Sequence, residues 1–220
     1  MKKITMNELK TTYGELLTTQ GNEKLGNRFR CLSMPAGITC PEDATCYRYC
    51  YARAIESRFP SLAERYNRNK ERLDSNGDLF REQLWKELKY FMPSCFRFNV
   101  DGDIYDMEYM ALIHEAAENF PGIDFLVFTK QYGIVNRYYD ELGELDNLHI
   151  NFSVDDGLKM NNPHNFPTVT VFKSIDDVPH NYAVCSGNCS ECHCMKFGCF
   201  NLKKGDKLAL LVHGAYKNNL

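Results

Sequence analysis

A chain of 220 residues has room for one domain with a sizeable core, or for two small ones. A formal net charge of −3, with 44% hydrophobic and 25% charged residues, is ordinary for a globular protein and lacks the basic excess that nucleic acid or an anionic membrane selects. No nucleic-acid partner is expected, and no apolar run reaches bilayer-spanning length, so none is expected in a membrane either. The polar opening from Met1 to Lys10 does not read as a secretion signal. The ten cysteines are therefore expected in a reducing cytoplasm, as metal ligands and not as disulfides.

Residues 1–27 are polar and dotted with glycine, and read as an N-terminal arm; 28–220 read as a single domain. Arg28 to Met34 forms a first strand, closed by Pro35 and Gly37. From Cys46 to about Asp74 the pattern is helical, split near Pro60, with Ser61 as a cap for the second piece. Asp78 is expected to cap a helix with Phe80, Leu84, Leu88 and Phe91 on one stripe. Cys95 to Val100 is the second strand, and Tyr109 to Phe120 the next amphipathic helix. Ile123 to Phe128 is a continuous apolar strand, and Ile134 to Leu142 another helical stripe. His149 to Val154 alternates polar and apolar residues, so one side of that strand is polar. Thr168–Phe172, Tyr182–Val184 and Lys207–Val212 complete the strands. The alternation predicts an α/β fold with a parallel sheet, in the form of a small or partial TIM-like β/α barrel of about six units with a Cys-rich C-terminal loop.

Reactive residues of such folds gather at the C-terminal ends of the strands. Cys40, Cys46 and Cys50 lie there, spaced C-x5-C-x3-C after the first strand. On a helix Cys46 and Cys50 share a face, and three close thiolates without a local fourth suit a [4Fe-4S] cluster with one iron open. Structural zinc and buried packing are the alternatives. Cys185, Cys189, Cys192 and Cys199 form a second candidate metal set, with Cys194 left out and His193 either a neighbour or a ligand in place of one cysteine; a zinc knuckle that pins the last strand is the alternative there. Asp101-Gly102-Asp103 follows a strand and reads either as a capped turn or as a carboxylate pair that grips substrate. Lys130 reads as an anion-binding or proton-moving residue, or as a solvated lysine opening a helix. Tyr47, Tyr49 and Tyr51 are expected to shield a cluster or to pack in the core. His114, Cys31 and Cys95 are expected to be structural.

Leu32-Ser33-Met34-Pro35-Ala36-Gly37, Cys40-Pro41, Cys50-Tyr51-Ala52, Phe96 to Ile104, Phe128-Thr129-Lys130 and the terminal cysteines together resemble the phage gene-product-eighty-eight family. That resemblance implies a small β/α barrel, similar in look to radical-SAM enzymes, with one or two iron–sulfur clusters. It also implies a viral or prophage origin, and so a host cytoplasm. The likeness to radical-SAM enzymes rests on the aromatic flanks of Cys50 and on the position of Asp101-Gly102-Asp103, which stands where such enzymes hold S-adenosylmethionine. The expected function is an enzyme acting on a small-molecule substrate through an open cluster iron. That iron either passes an electron to S-adenosylmethionine or acts as a Lewis acid in hydrolysis or hydration, with Asp101, Asp103 or Lys130 moving protons. A non-catalytic electron carrier or redox sensor, served by a host electron donor, is the alternative, and a structural zinc module the third.

Overall fold

The computed structural model describes residues 4–21, 25, 29–192 and 198–212. In chain order these form α1 (Met6–Tyr13), β1 (Thr19–Gln20), β2 (Phe29–Leu32), α2 (Tyr51–Arg58), α3 (Pro60–Ser75), α4 (Gly77–Phe91) and β3 (Cys95–Phe98). There follow α5 (Met107–Asn119), β4 (Asp124–Thr129), α6 (Tyr132–Leu142), β5 (Leu148–Ser153), β6 (Thr168–Phe172), β7 (Ala183–Val184), the short α7 (Cys189–Cys192) and β8 (Lys207–Leu211). The protein is thus α/β, with one eight-stranded sheet in the order β1-β2-β3-β4-β5-β6-β8-β7. Only β1 pairs antiparallel; every other pairing is parallel. The described strands form an open sheet with β1 and β7 at its edges. Among the described residues no helix is long and apolar enough to cross a membrane.

From β2 to β6 the strands lie side by side in the order in which they occur in the chain. Right-handed crossovers between strands in that order place every connecting helix on the same face. The core obeys this rule. Leu32, Phe96, Phe98, Phe125, Val127, Ile150 and Phe152 pack against Leu73 of α3, Leu84 and Leu88 of α4, Ile113 of α5 and Val135 of α6. The intervening residues point the other way, as strand pleating requires. On that far face Phe29, Cys31, Cys95 and Leu126 pack with Phe200, and Phe128, Cys189 and Cys199 lie against them. The polar side anticipated for β5 faces the same way: Asn151 is buried, and its Nδ2 donates to the Cys199 carbonyl at 3.1 Å.

Three local expectations are corrected. Cys46 lies in a 3-10 turn (Thr45–Tyr49), and Cys50 is the extended residue that precedes α2, so the two thiols do not share an α-helical face. Ser61 is not a cap, because Pro60 already occupies the first helical position, where its missing N–H leaves no donor unsatisfied. Asn76, not Asp78, caps α4: Gly77 is itself helical, and the Asn76 side chain accepts from Leu79 N at 3.0 Å.

The N-terminal arm is built into the body. Glu87 on α4 is fully buried and accepts from Leu17 N at 2.8 Å, Thr18 N at 3.0 Å, Thr18 Oγ1 at 2.7 Å and Gln83 Nε2 at 2.8 Å. Asn69 Nδ2 donates to the carbonyls of Leu17 and Ser33, which ties the arm to the end of β2. Replacing Glu87 with Ala strands buried N–H donors, each costing roughly 1–3 kcal/mol. Urea unfolding of Glu87→Ala is expected to show a loss of about 2–4 kcal/mol, with Glu87→Gln losing less because its amide oxygen still accepts.

Candidate active site at the strand ends

The loops after β2, β3, β4 and β5 meet at one end of the sheet, and Asp103 joins three of them through its carboxylate and its backbone N–H. It accepts from Thr129 Oγ1 at 2.5 Å, Lys130 N at 2.9 Å and its neighbour Ile104 N at 2.7 Å, while Asp103 N donates to Thr39 Oγ1 at 3.0 Å. Thr39 Oγ1 in turn donates to Pro35 O at 2.9 Å. Burial lifts the Asp103 carboxyl to about 6 against the pull of these donors. Its neighbour Gly102 has φ +78°, and a Cβ there would come within 2.5 Å of Met34 O. Only glycine fits so close to the other loop at that dihedral.

Asp101 N donates to Ser33 Oγ at 3.2 Å, and Met34 N donates to Asp101 O at 3.2 Å, which locks the ends of β2 and β3 together. The buried Asp101 carboxyl is raised by desolvation, opposed by the Tyr66 hydroxyl that donates to it and by the Arg97 guanidinium. On the next loop Asp155 accepts from Thr45 N at 2.7 Å, Gly157 N at 3.0 Å and Cys46 N at 3.4 Å. It thereby holds the 3-10 turn that carries Cys46. Desolvation works against the Asp155 charge, but these backbone donors outweigh it and keep the carboxyl below its usual value.

The first three cysteines come together around this frame. Cys40 is half-buried, and desolvation pushes its thiol up to about 11, with a Gly37 backbone hydrogen bond opposing and Asp103, Cys50 and Cys46 adding to the rise. The Cys46 thiol is also raised by desolvation, although the residue as a whole is exposed; the Lys130 ammonium, which hydrogen-bonds it, opposes the rise. Lys130 thus meets Cys46, and Cys40, Cys46 and Cys50 lie near enough to feel one another's charge without being arranged around a single metal ion. Asp103 stands next to Cys40 but points its oxygens at the loops, so its visible work is positioning. Tyr49 and Tyr51 are about half-exposed and do not pack in the core. His114 is buried against Tyr138, and Cys95 is fully buried, as a structural role requires.

The second set is arranged differently. Cys185 follows β7 at its C-terminal end, its N donating to Ala209 O at 2.9 Å, whereas Cys199 and Phe200 lie against the far face of the sheet. The Cys199 thiol is pushed up to about 12 by burial; Cys185, Cys192 and Cys189 raise it further and Arg97 opposes. A Cβ on Gly198 would sit 3.1 Å from Cys192 Sγ, which shows how closely that arm approaches Cys192. Cys194 and His193 lie outside the described residues. Among the described residues no three His, Cys, Asp or Glu side chains are arranged to hold a single metal ion.

The sequence reading did not foresee the contacts made by Arg97, Thr129, Thr39, Ser33 and Asp155. Arg97 carried a signal, being a lone charge in an otherwise apolar strand; the hydroxyls carried none, because their partners are distant in sequence. Fold and site together define an α/β protein with an open, mainly parallel sheet, whose strand ends carry a carboxylate-braced group of thiols and a lysine. The family profile described as Gene product 88 matches residues 7–183, so the chain belongs to that family. The match takes in Cys40, Cys46, Cys50, Asp101, Asp103 and Lys130 and ends before Cys185. No curated protein and no solved structure matches.

Two outcomes check the loop frame. Gly102→Ala forces a Cβ against a backbone oxygen at positive φ, and thermal unfolding is expected to show a loss of about 2 kcal/mol or more. Because the folded chain holds the Asp103 proton up to about pH 6, whereas the unfolded value is near 3.8, this group's contribution to stability falls as pH rises between those values. Chemical denaturation of metal-free protein across that window is expected to show a less negative slope of stability with pH in Asp103→Asn than in the native chain.

Proposed function

We propose that the protein is an iron–sulfur enzyme that acts at the strand ends, in which Cys40, Cys46 and Cys50 hold a [4Fe-4S] cluster. The observation that carries this reading is that Asp103 and Asp155 brace the loops of Cys40 and Cys46 at the end of the sheet where Cys50 also lies, with no fourth thiol in the same loop, and that the Lys130 ammonium meets Cys46. Thiolates are the soft donors such clusters take, and three of them leave one iron for a small ligand. In this reading the sheet is a partial barrel whose helix-free face is filled by the C-terminal cysteine segment. When bound, the cluster supplies either an electron for S-adenosylmethionine or a Lewis acid for a substrate oxygen.

The protein's own groups divide the remaining work. Lys130 is placed to donate a proton beside Cys46 and to hold an anionic part of a small substrate. Asp101, raised by burial and reached by the Tyr66 hydroxyl, is placed to exchange a proton with a substrate. Asp103 sets the positions of both loops by pinning Lys130 N and Thr129. Raised thiol values favour the protonated metal-free protein, so cluster assembly is expected to release protons and to proceed faster at higher pH.

The test is anaerobic purification and reconstitution of the full chain, followed by iron, sulfide and EPR measurements. Brown protein with near-equal iron and sulfide is expected. Cys40→Ser, Cys46→Ser and Cys50→Ser should each lose the same share of iron, and Lys130→Met should retain it. A change in the EPR signal on adding S-adenosylmethionine selects the electron-transfer branch, and an unchanged signal selects the Lewis-acid branch. Colourless protein containing zinc and no sulfide would overturn the reading.

A further inference from the structure

The net charge of −3 hides an uneven surface. From Thr45 to Phe59 three arginines, Arg48, Arg53 and Arg58, stand against one acid, Glu56. All three arginines are exposed, and among the described residues none of them is in an ion pair. Arg53 is near enough to Glu56 to lower its carboxyl, but Glu56 turns Oε1 inward to accept from Ala36 N at 2.9 Å. The exposed acids nearest in sequence on the N-terminal side, Glu42 and Asp43, precede the 3-10 turn.

The same segment carries most of the exposed aromatic surface. Tyr49, Tyr51 and Phe59 are each about half-exposed, and among the described residues Tyr90 is the one other large ring classed as exposed. Tyr49 and Phe59 flank the two ends of α2, whose eight residues span roughly 12 Å. Tyr51, Ala54 and Arg58 recur at helical spacing and are all exposed, so they line one open face of that helix. The cations are held against rings. Arg53 has its guanidinium carbon 4.9 Å from the centre of the Tyr47 ring and donates from Nη1 to Tyr47 O at 3.3 Å. Its stem runs so close to Gly37 that a Cβ there would lie 3.0 Å from Arg53 Cδ. Arg58 lies 5.6 Å from the centre of the Phe59 ring.

We propose that this face, from Arg48 to Phe59, binds single-stranded nucleic acid, with phosphates on Arg48, Arg53 and Arg58 and bases stacked on Tyr49, Tyr51 and Phe59. The argument is complementarity of charge and shape. Unpaired guanidinium groups fit a repeating anion, and open rings beside them fit flat bases, which a single strand presents and a duplex keeps stacked inside. An uncharged apolar partner would leave three cations unanswered. The expectation of no nucleic-acid partner rests on charge summed over the whole chain, and that sum averages this local excess away. The inference is independent of the iron–sulfur reading, because none of these six side chains is a ligand in it.

The test is fluorescence anisotropy of a labelled oligothymidylate single strand titrated with the full chain, metal-free and reconstituted, over a range of salt concentrations. Binding at low salt that weakens steeply as salt rises is expected. Arg48→Ala and Arg58→Ala should each reduce the slope of log affinity against log salt by about 0.7. Tyr49→Ala and Phe59→Ala should each weaken binding roughly tenfold with the slope unchanged. Arg53→Ala should act like the other arginine variants, and Arg58→Ala serves in its place should loss of the Gly37 contact unfold it. No binding at low salt overturns the inference, as does equal affinity for a duplex of the same length. Native affinity in the Tyr49→Ala, Phe59→Ala double variant overturns it too, because any polyanion would then suffice. Brown, iron-loaded protein that fails to bind the strand sinks this surface and leaves the cluster standing.

Discussion

One buried carboxylate holds the end of the sheet together. Asp103 accepts from a hydroxyl and two backbone N–H groups, and its own N–H reaches Thr39 on the loop that leads to Cys40. A parallel sheet leaves its strand-end loops as separate excursions, each free to move unless something crosses between them. Asp103 makes that crossing for the loops after β2, β3 and β4, and Asp155 makes it between the loop after β5 and the turn that carries Cys46. The low dielectric that raises the Asp103 carboxyl also strengthens the hydrogen bonds it accepts. The thiols and Lys130 are neighbours because these two acids draw the loops together.

The division of the sheet into two faces has a similar cause. Strands added in chain order send every right-handed crossover to the same side, so none of the helices that connect β2 to β6 covers the other side, where only the short α7 brings Cys189 against the sheet among the described residues. An apolar face needs a cover, and here Phe200 and the flanking cysteines supply one by packing on Phe29, Cys31 and Leu126. The C-terminal cysteine segment is therefore part of the architecture as well as a candidate ligand set. Arg97, His149 and Asn151 are among the polar groups on the far face: Arg97 lies over the Phe128 ring, His149 meets the Phe200 ring edge-on, and Asn151 reaches the Cys199 carbonyl. The Gene product 88 match covers the strand-end thiols and ends at residue 183, before this cover.

Much of this was legible from residue order. Apolar runs such as Phe125–Phe128 and stripes such as Phe80, Leu84 and Leu88 announce strand and helix, because burial on a regular backbone has a fixed period. The close spacing of Cys40, Cys46 and Cys50 was equally plain. Their local geometry was not: periodicity predicted a helix through Cys46, but the capture of Thr45 N and Cys46 N by Asp155, more than a hundred residues away, goes with a 3-10 turn. Likewise Asp101 and Asp103 look equivalent in the sequence, yet one is engaged by Tyr66 and the other by the loops.

Local order alone determined the α/β class, the succession of elements, and which residue types were available for soft-metal chemistry, because each of these depends on neighbours within a few positions. Tertiary structure alone decided that Asp103 braces the loops while Asp101 is engaged by Tyr66, and that Lys130 meets Cys46. Those outcomes depend on hydrogen bonds and burial between segments far apart in the chain, and no local pattern encodes a partner's position in space.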